Sequence, residues 1–122
     1  MNLECSSKGD KRFSAMYARL TLNGKVDTIE SHYQLAKRFG NDAPPTHWKQ
    51  CKGRKPTHFM FGEKKVSLAK LTDFYNYLWK LYLDENPQLV AYLTQFDSFT
   101  DCFARKGCNN QAHAIQLYMD SI

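Results

Sequence analysis

The dipeptide Asn23-Gly24 constrains this chain more than any other feature of its sequence. Both residues tolerate positive φ, as a two-residue type I′ turn demands. The run from Phe13 to Leu22 contains β-suited residues, and a short return through Val26 follows the turn, so the pattern predicts a hairpin. A helix signal comes directly after it. Asp27 reads as an N-cap, Glu30 three residues on completes a capping box, and Gly40 reads as the C′ stop of a helix over 28–39. Ile29, Tyr33, Ala36 and Phe39 recur at helical spacing and form its inner stripe.

The remaining punctuation is equally regular. Residues 40–57 form a long connection holding Pro44, Pro45, Gly53 and Pro56, and connections of that length inside compact domains often carry function. A second strand pair is expected over His58 to Leu68, turning at Gly62-Glu63. Leu71, Phe74, Tyr75, Leu78 and Leu81 or Tyr82 mark an amphipathic helix ending near Asp84. Asn86 as N-cap and Pro87 at N1 restart the chain in a helix to about Gln95. Ser98 to Phe103 reads as one more short helical stretch, broken at Gly107. Asn109 or Asn110 caps a last helix carrying Ala112, Ile115, Tyr118 and Met119. The expected fold is α+β and mainly helical, with one or two short hairpins.

Composition bounds this reading. A chain of 122 residues, 43% apolar, buries one core without staples. We expect a single domain over 12–122 behind a flexible, polar tail of residues 1–11. No apolar stretch approaches the ~20 residues of a membrane span, and no apolar run of signal-peptide length opens the chain, so a cytoplasmic location is expected. Cys5, Cys51, Cys102 and Cys108 form no C-x-x-C pair, and the histidines lack ligand spacing. Free thiols and no metal or cofactor are the expectation. A formal net charge of +5 suits an anionic partner. Lys49, Lys52, Arg54 and Lys55 concentrate it in one loop, which serves equally as a solvated segment aiding solubility.

Glu30, Gln34 and Lys37 lie at i, i+4 and i+7 and share one helical face, with Tyr33 beside them. One stripe thus offers a carboxylate, an amide, an ammonium and a phenol. Spacing alone also fits a solvent-facing stripe with a cap.

Three segments at characteristic intervals resemble the NADAR family. Phe13-Ser14, then Asn23-Gly24-Lys25, then Thr28-Ile29-Glu30-Ser31-His32-Tyr33-Gln34-Leu35-Ala36-Lys37 are similar to its F-S-N-F, D-G-K and T-V-E-H-x-Y-Q-x-x-K. The core T-x-E-x-x-Y-Q-x-x-K is the specific part. Ala15 stands where the family has Asn, and His32 sits one place later than the family's His. Tyr77-Leu78-Trp79 through Asn86-Pro87-Gln88-Leu89-Val90 is similar to the family's M-x-x-x-L-x-x-K-F-x-x-N-P-x-L. The family's D-x-x-W-G-x-G segment is absent, replaced by Phe96 to Phe103 and Lys106 to Ala112. The resemblance is to a compact, divergent branch of the kind associated with bacteria and their phages.

It implies a pocket for ADP-ribose or a related ribosylated nucleotide, and hydrolysis of an N-glycosidic bond, including removal of ADP-ribose from modified bases. Glu30 carries over as the catalytic carboxylate. Cleaving such a bond builds positive charge on the sugar, which a fixed carboxylate stabilises while it activates water. A second carboxylate helps, so Asp101 and Asp97 are candidates. Lys37 and Lys106 are candidates to hold a phosphate as point charges, with Arg54 and Lys55 behind them. Tyr33, Trp48 and Trp79 are candidates to stack on the base. Ser14, Gln34, Asn110 and Gln111 complete the expected contacts.

Each has a structural alternative. Asp97 caps the helix after Phe96, or Asp101 pairs with Arg105 at i+4; Trp79 and Tyr33 belong to the core; Asn109-Asn110 is a cap; His113 is a surface residue. No G-x-S-x-G, P-loop or G-x-G-x-x-G occurs. The reading from sequence is an N-glycosidase-type hydrolase acting on an ADP-ribose-like nucleotide. Its rival is a non-catalytic protein that sequesters such a nucleotide or blocks a host defence enzyme, as in phage counter-defence. A nucleic-acid-binding accessory protein is the least favoured.

Overall fold

The computed structural model describes residues 1–105 and 109–122. Lys106, Gly107 and Cys108 lie outside the described residues, and with them the expected helix break, one phosphate-binding candidate and one thiol. Among the described residues the fold is α+β, with four α-helices and seven short strands in three small sheets.

The opening residues differ from the expected tail. Asn2–Glu4 (β1) runs parallel to Ser98–Thr100 (β7), with Leu3 opposite Phe99. Leu3 and Cys5 alternate with polar residues, and both are buried. That period-2 pattern is the signature of a half-buried strand, hidden in a segment that is polar on average. The turn after it folds tightly back, and a Cβ at Gly9 would collide with the Glu4 carbonyl oxygen. The same pairing makes 98–100 a strand where a helical stretch was expected. Pairing with β1 decides it, and the partner lies 96 residues away.

Lys11–Phe13 is one turn of 3-10 helix, capped by the Asp10 carboxylate. Strand geometry is confined to Arg19–Leu22 (β2), which pairs antiparallel with Lys25–Thr28 (β3). Asn23 and Gly24 have φ of 52° and 79°, the pair of positive values that the tight hairpin turn requires.

The helix that follows is shorter than its sequence signal. Ile29–Leu35 (α1) is capped by Thr28, whose Oγ1 accepts the Ser31 amide at 3.1 Å. Asp27 instead accepts the Thr28 amide and the Ser31 hydroxyl. The helix stops because the next residues are captured by a sheet: Lys37–Arg38 (β4) pairs antiparallel with His58–Phe61 (β5). The Arg38 guanidinium donates to the carbonyls of Leu35 and Lys37 at 2.8 Å each, the first being an acceptor that the truncated helix leaves open. Phe39 therefore lies beyond the helix, buried with the Arg54 guanidinium 4.0 Å over its ring.

β5 turns at Gly62 into Lys64–Val66 (β6), as expected. The three remaining helices are Leu71–Asp84 (α2), Pro87–Leu93 (α3) and Gln111–Asp120 (α4). Asn110 caps α4, its side chain accepting the His113 amide. Asn86 makes no side-chain cap and donates instead to the Tyr82 carbonyl. α2 is the spine: it packs on α1, α3, α4 and β2. Its Leu78, Trp79 and Leu83 are fully buried together with Ile29, Phe13, Leu93 and Ile115. None of the described helices is long and apolar enough to cross a membrane.

The parallel β1–β7 pair gives the first test. Leu3→Ala removes a buried side chain from that seam and is expected to destabilise the protein by about 2–3 kcal/mol. Chemical denaturation measures it, and an unchanged midpoint would show that the opening residues are not part of the fold.

Candidate functional site

Two adjoining cavities open between α1, α2 and the segment that leads into α4. The larger, about 520 Å³, is lined by Glu30, Tyr33, Gln34, Lys37, Leu68, Leu71, Thr72, Tyr75 and Asn109. The smaller, about 320 Å³, is lined by Ser7, Ser14, Ala15, Met16, Glu30, Tyr75, Asp101, Phe103, Asn109 and Gln111. Glu30, Tyr75 and Asn109 belong to both, so the two lobes meet at a waist walled by those three residues.

The waist is set by a chain of hydrogen bonds that begins in α4. The Gln111 side-chain amide donates to the Cys5 carbonyl at 3.1 Å and to Asp101 Oδ2 at 3.0 Å. Its oxygen accepts the Ala15 amide. The Ala15 carbonyl in turn accepts the Glu30 amide at 2.9 Å, and the Ala18 carbonyl accepts that of Ile29. The first turn of α1 is thus fastened to the 14–18 turn, which is fastened to α4. Because Thr28 caps the helix, the Glu30 carboxylate has no capping duty. Among the described residues, its Oε1 accepts the Gln34 amide alone, at 2.8 Å along the helix face.

The other groups are equally fixed. Asp101 Oδ1 accepts the Phe103 amide, and Oδ2 accepts both the amide and the side-chain nitrogen of Gln111. The Tyr33 ring meets the edge of Tyr75 at 5.1 Å, and Asn109 donates to the Tyr33 hydroxyl at 2.6 Å. The Lys37 ammonium lies over the Tyr33 ring, 4.6 Å from its centroid. Burial pushes the Tyr75 phenol well above its ordinary range, so it remains a neutral donor. Burial also pushes the Cys5 thiol up to about 12, with the charges of Glu4 and Asp101 adding to the effect. Cys5 is a packing residue.

The cleft gathers Glu30, Tyr33, Gln34, Lys37, Ser14, Asp101 and Gln111 from three separate stretches of the sequence. It leaves out others. Asp97 precedes β7 rather than capping a helix, and its exposed carboxylate binds the amino group of Met1 at 2.6 Å. Trp79 is completely buried in α2 with its edge toward Tyr82, so it cannot stack on a ligand. Trp48 packs on His47 in the 46–55 loop, with the Lys49 ammonium 5.8 Å from its ring centroid, and lines neither lobe. Asn110 is spent on the α4 cap. Arg54 is tied to Asp42 and Phe39, and Lys55 lies in the exposed loop. Lys106 lies outside the described residues.

Two wall residues escaped sequence reasoning. Tyr75 reads as one more apolar position of the α2 stripe, and nothing in its spacing separates it from Phe74. Asn109 reads as a cap, yet its neighbour takes that role and frees it to face Tyr33. Among the described residues, no three His, Cys, Asp or Glu side chains group in a way that could hold a metal ion.

Against known proteins, residues 1–120 match a family model described as the DarT1-associated NADAR antitoxin. No curated protein matches the chain.

Gln111→Leu tests the clamp. Leu fills similar space and forms no hydrogen bond, leaving the Ala15 amide, the Cys5 carbonyl and one Asp101 oxygen without that partner. A loss of about 2–3 kcal/mol is expected, together with faster hydrogen exchange at the Ala15 and Glu30 amides. If those amides keep their protection, the clamp does not hold the turn.

Proposed function

The chain belongs to the family of DarT1-associated NADAR antitoxins, and from this premise we propose that it is an N-glycosidase-type hydrolase acting on an ADP-ribose-containing nucleotide. An antitoxin that is an enzyme works by undoing a modification, and cleavage of a glycosidic bond to ADP-ribose is chemistry this cleft suits. The observation that carries the reading is the position of Glu30 at the waist, where it lines both lobes.

In the proposed reaction the bond between the ribose carbon and the base nitrogen lies across the waist. As it breaks, positive charge grows on the sugar, and Glu30 stabilises that charge from the wall of the cleft. Glu30 then takes a proton from the water that adds to the sugar carbon. The base leaves with the bonding electrons and takes up the proton that Glu30 removes from the water, which returns Glu30 to its carboxylate form. Asp101 accepts hydrogen bonds at both oxygens. It therefore adds negative field and positions the wall, and Glu30 is the group left to act on water. Lys37 supplies the cation for the diphosphate, and the neutral Tyr75 hydroxyl is a donor for a sugar oxygen.

That engagement of Asp101 also favours a second reading, in which the chain binds and sequesters an ADP-ribose-like nucleotide without turnover. With one carboxylate committed to the scaffold, the paired-carboxylate arrangement of many glycosidases is incomplete.

Glu30→Gln separates the two. Gln keeps the size of the side chain and an acceptor for Gln34, so the melting temperature should scarcely move. It cannot carry the charge or take the proton, and turnover should fall ~10²–10⁴-fold. Mass spectrometry of products released from an ADP-ribosylated nucleoside reads this directly. If the wild-type chain binds the compound and returns it intact, sequestration is the function. Turnover that survives the substitution would remove Glu30 from the mechanism.

A further inference from the structure

α1 presents Glu30, Tyr33 and Gln34 to the cleft, and His32 and Leu35 to a separate cavity on its other face. This rear cavity measures about 290 Å³ and lies between the β2–β3 hairpin, α1, β4 and the β5–β6 turn. Strand geometry helps to build it. Lys37 and Arg38 are consecutive residues of β4, and successive strand residues point to opposite faces. Lys37 lines the larger lobe of the cleft, whereas Arg38 lines the rear cavity together with Lys25 and His32. Leu22, Met60 and Phe61 supply apolar wall beside them. None of these side chains has a part in the proposed hydrolysis.

His32 is the unusual wall. It is only 8% exposed, and its Nε2 lies 2.9 Å from the Leu20 carbonyl oxygen. A carbonyl only accepts, so Nε2 carries a proton, and the neutral ring then leaves Nδ1 as an acceptor. Nδ1 has no hydrogen-bond partner among the described residues, and it is not sealed either: the sealed side-chain atoms without a partner are Gln34 Oε1 and Trp79 Nε1. It therefore opens onto the cavity that the ring lines. The cations beside it retain donors. The Arg38 guanidinium uses Nη1 on the Leu35 and Lys37 carbonyls, which holds the group in place, and the N–H groups of Nη2 and Nε remain. Lys25 has the Asp27 carboxylate at 3.7 Å, but that carboxylate already accepts the Thr28 amide and the Ser31 hydroxyl.

We propose that the rear cavity binds a phosphate monoester bearing a small apolar or aromatic group. A ligand that satisfies these walls offers anionic oxygens to Lys25 and Arg38 and a proton-bearing oxygen to Nδ1. A phosphate monoester does both near neutral pH, because its second proton leaves with a pKa of about 6. Whichever partner holds that proton, it lies between one phosphate oxygen and the imidazole. A carboxylate or a sulfate brings no such proton. A guanidinium matches phosphate geometry, and one already held in place loses little freedom on binding. Leu22, Met60 and Phe61 take the organic group. The assignment is independent of the hydrolase reading, since among the described residues the rear cavity and the cleft share no lining residue.

Binding is followed by calorimetry and by the nitrogen-15 signals of the His32 ring, with phenyl phosphate, inorganic phosphate and sulfate as probes at one ionic strength. Phenyl phosphate should bind most tightly and sulfate least. The Nδ1 signal should move as phenyl phosphate is added, while the Nε2 signal, held by Leu20, stays. Lys25→Glu reverses a charge at an exposed hairpin position, so the fold should survive, and phenyl phosphate should bind about tenfold more weakly. Affinity for ADP-ribose should stay within about twofold in that variant, as expected of sites with no shared partner. Sulfate bound as tightly as phosphate would leave only a general attraction for anions and overturn the assignment. So would equal affinity for inorganic phosphate and phenyl phosphate, an unmoved Nδ1 signal, or phenyl phosphate binding that Lys25→Glu does not weaken. A parallel loss of ADP-ribose affinity in Lys25→Glu would put the phosphate in the cleft and do the same. Turnover of an ADP-ribosylated nucleoside bears on the hydrolase reading alone: a chain without it that binds phenyl phosphate in the expected way keeps the rear site.

Discussion

One side-chain amide holds this site together. Gln111 opens α4, and its three hydrogen bonds reach the carbonyl of Cys5, the amide of Ala15 and the carboxylate of Asp101. These groups come from the residue after β1, the turn before β2 and the residue after β7. A partly buried amide that satisfies both its donor and its acceptor gains strength where water is partly excluded, and each partner lost leaves an unpaired group at a cost. The clamp therefore fixes geometry as well as stability. Through the Ala15 peptide it continues to the Glu30 amide, so the waist carboxylate is positioned from the far end of the chain.

The reach of that clamp explains why the N-terminal strand matters to the cleft. Parallel pairing of β1 with β7 brings Cys5 and Asp101 side by side, and the buried Cys5 carbonyl becomes available to Gln111. Glu4 reinforces the seam. Its carboxylate accepts the Ser6 hydroxyl, the Thr100 hydroxyl and the Cys102 amide, and the Ser6 bond leads in holding its pKa below the ordinary carboxylate range. Ala15 has no functional side chain, where the resembling family carries Asn. Its backbone does the connecting, and the carboxamides lining that lobe belong to Gln111 and Asn109.

The features legible in the sequence are the local ones. Asn23-Gly24 forms its turn, α2 ends at Asp84, and Asn110 opens α4, because each depends on neighbours within a few residues. The stripe of Glu30, Gln34 and Lys37 still lines one cavity, although Lys37 has left the helix for β4. What the sequence hid is non-local. The Lys37–Arg38 segment continues a good helical pattern, and only pairing with β5, some twenty residues on, overrides it. Ser98 to Thr100 becomes a strand because β1 lies beside it. Trp79 is core rather than platform because it lies on the face of α2 that packs against the rest of the fold, opposite exposed Tyr77 and Lys80. Tyr75 faces the cleft one position from Phe74, which packs on Phe59, and a stripe pattern cannot tell a wall from a core.

The displaced cap carries the deepest consequence for function. Had Asp27 capped α1, Glu30 would occupy N3 and turn back to the cap amide, a purely structural post. The hairpin register prevents this. Thr28 pairs with Arg19 as the last residue of β3 and is also the residue in extended geometry from which the helix starts, with φ of −71° and ψ of 158°. The cap moves one residue along the chain and Ser31 takes the capping bond. Glu30 is left at the second helical position, its backbone spoken for by Ala15 and its carboxylate turned to the waist. A single-residue choice between two good caps, settled by strand pairing, thus decides whether the carboxylate stabilises the helix or faces the cleft.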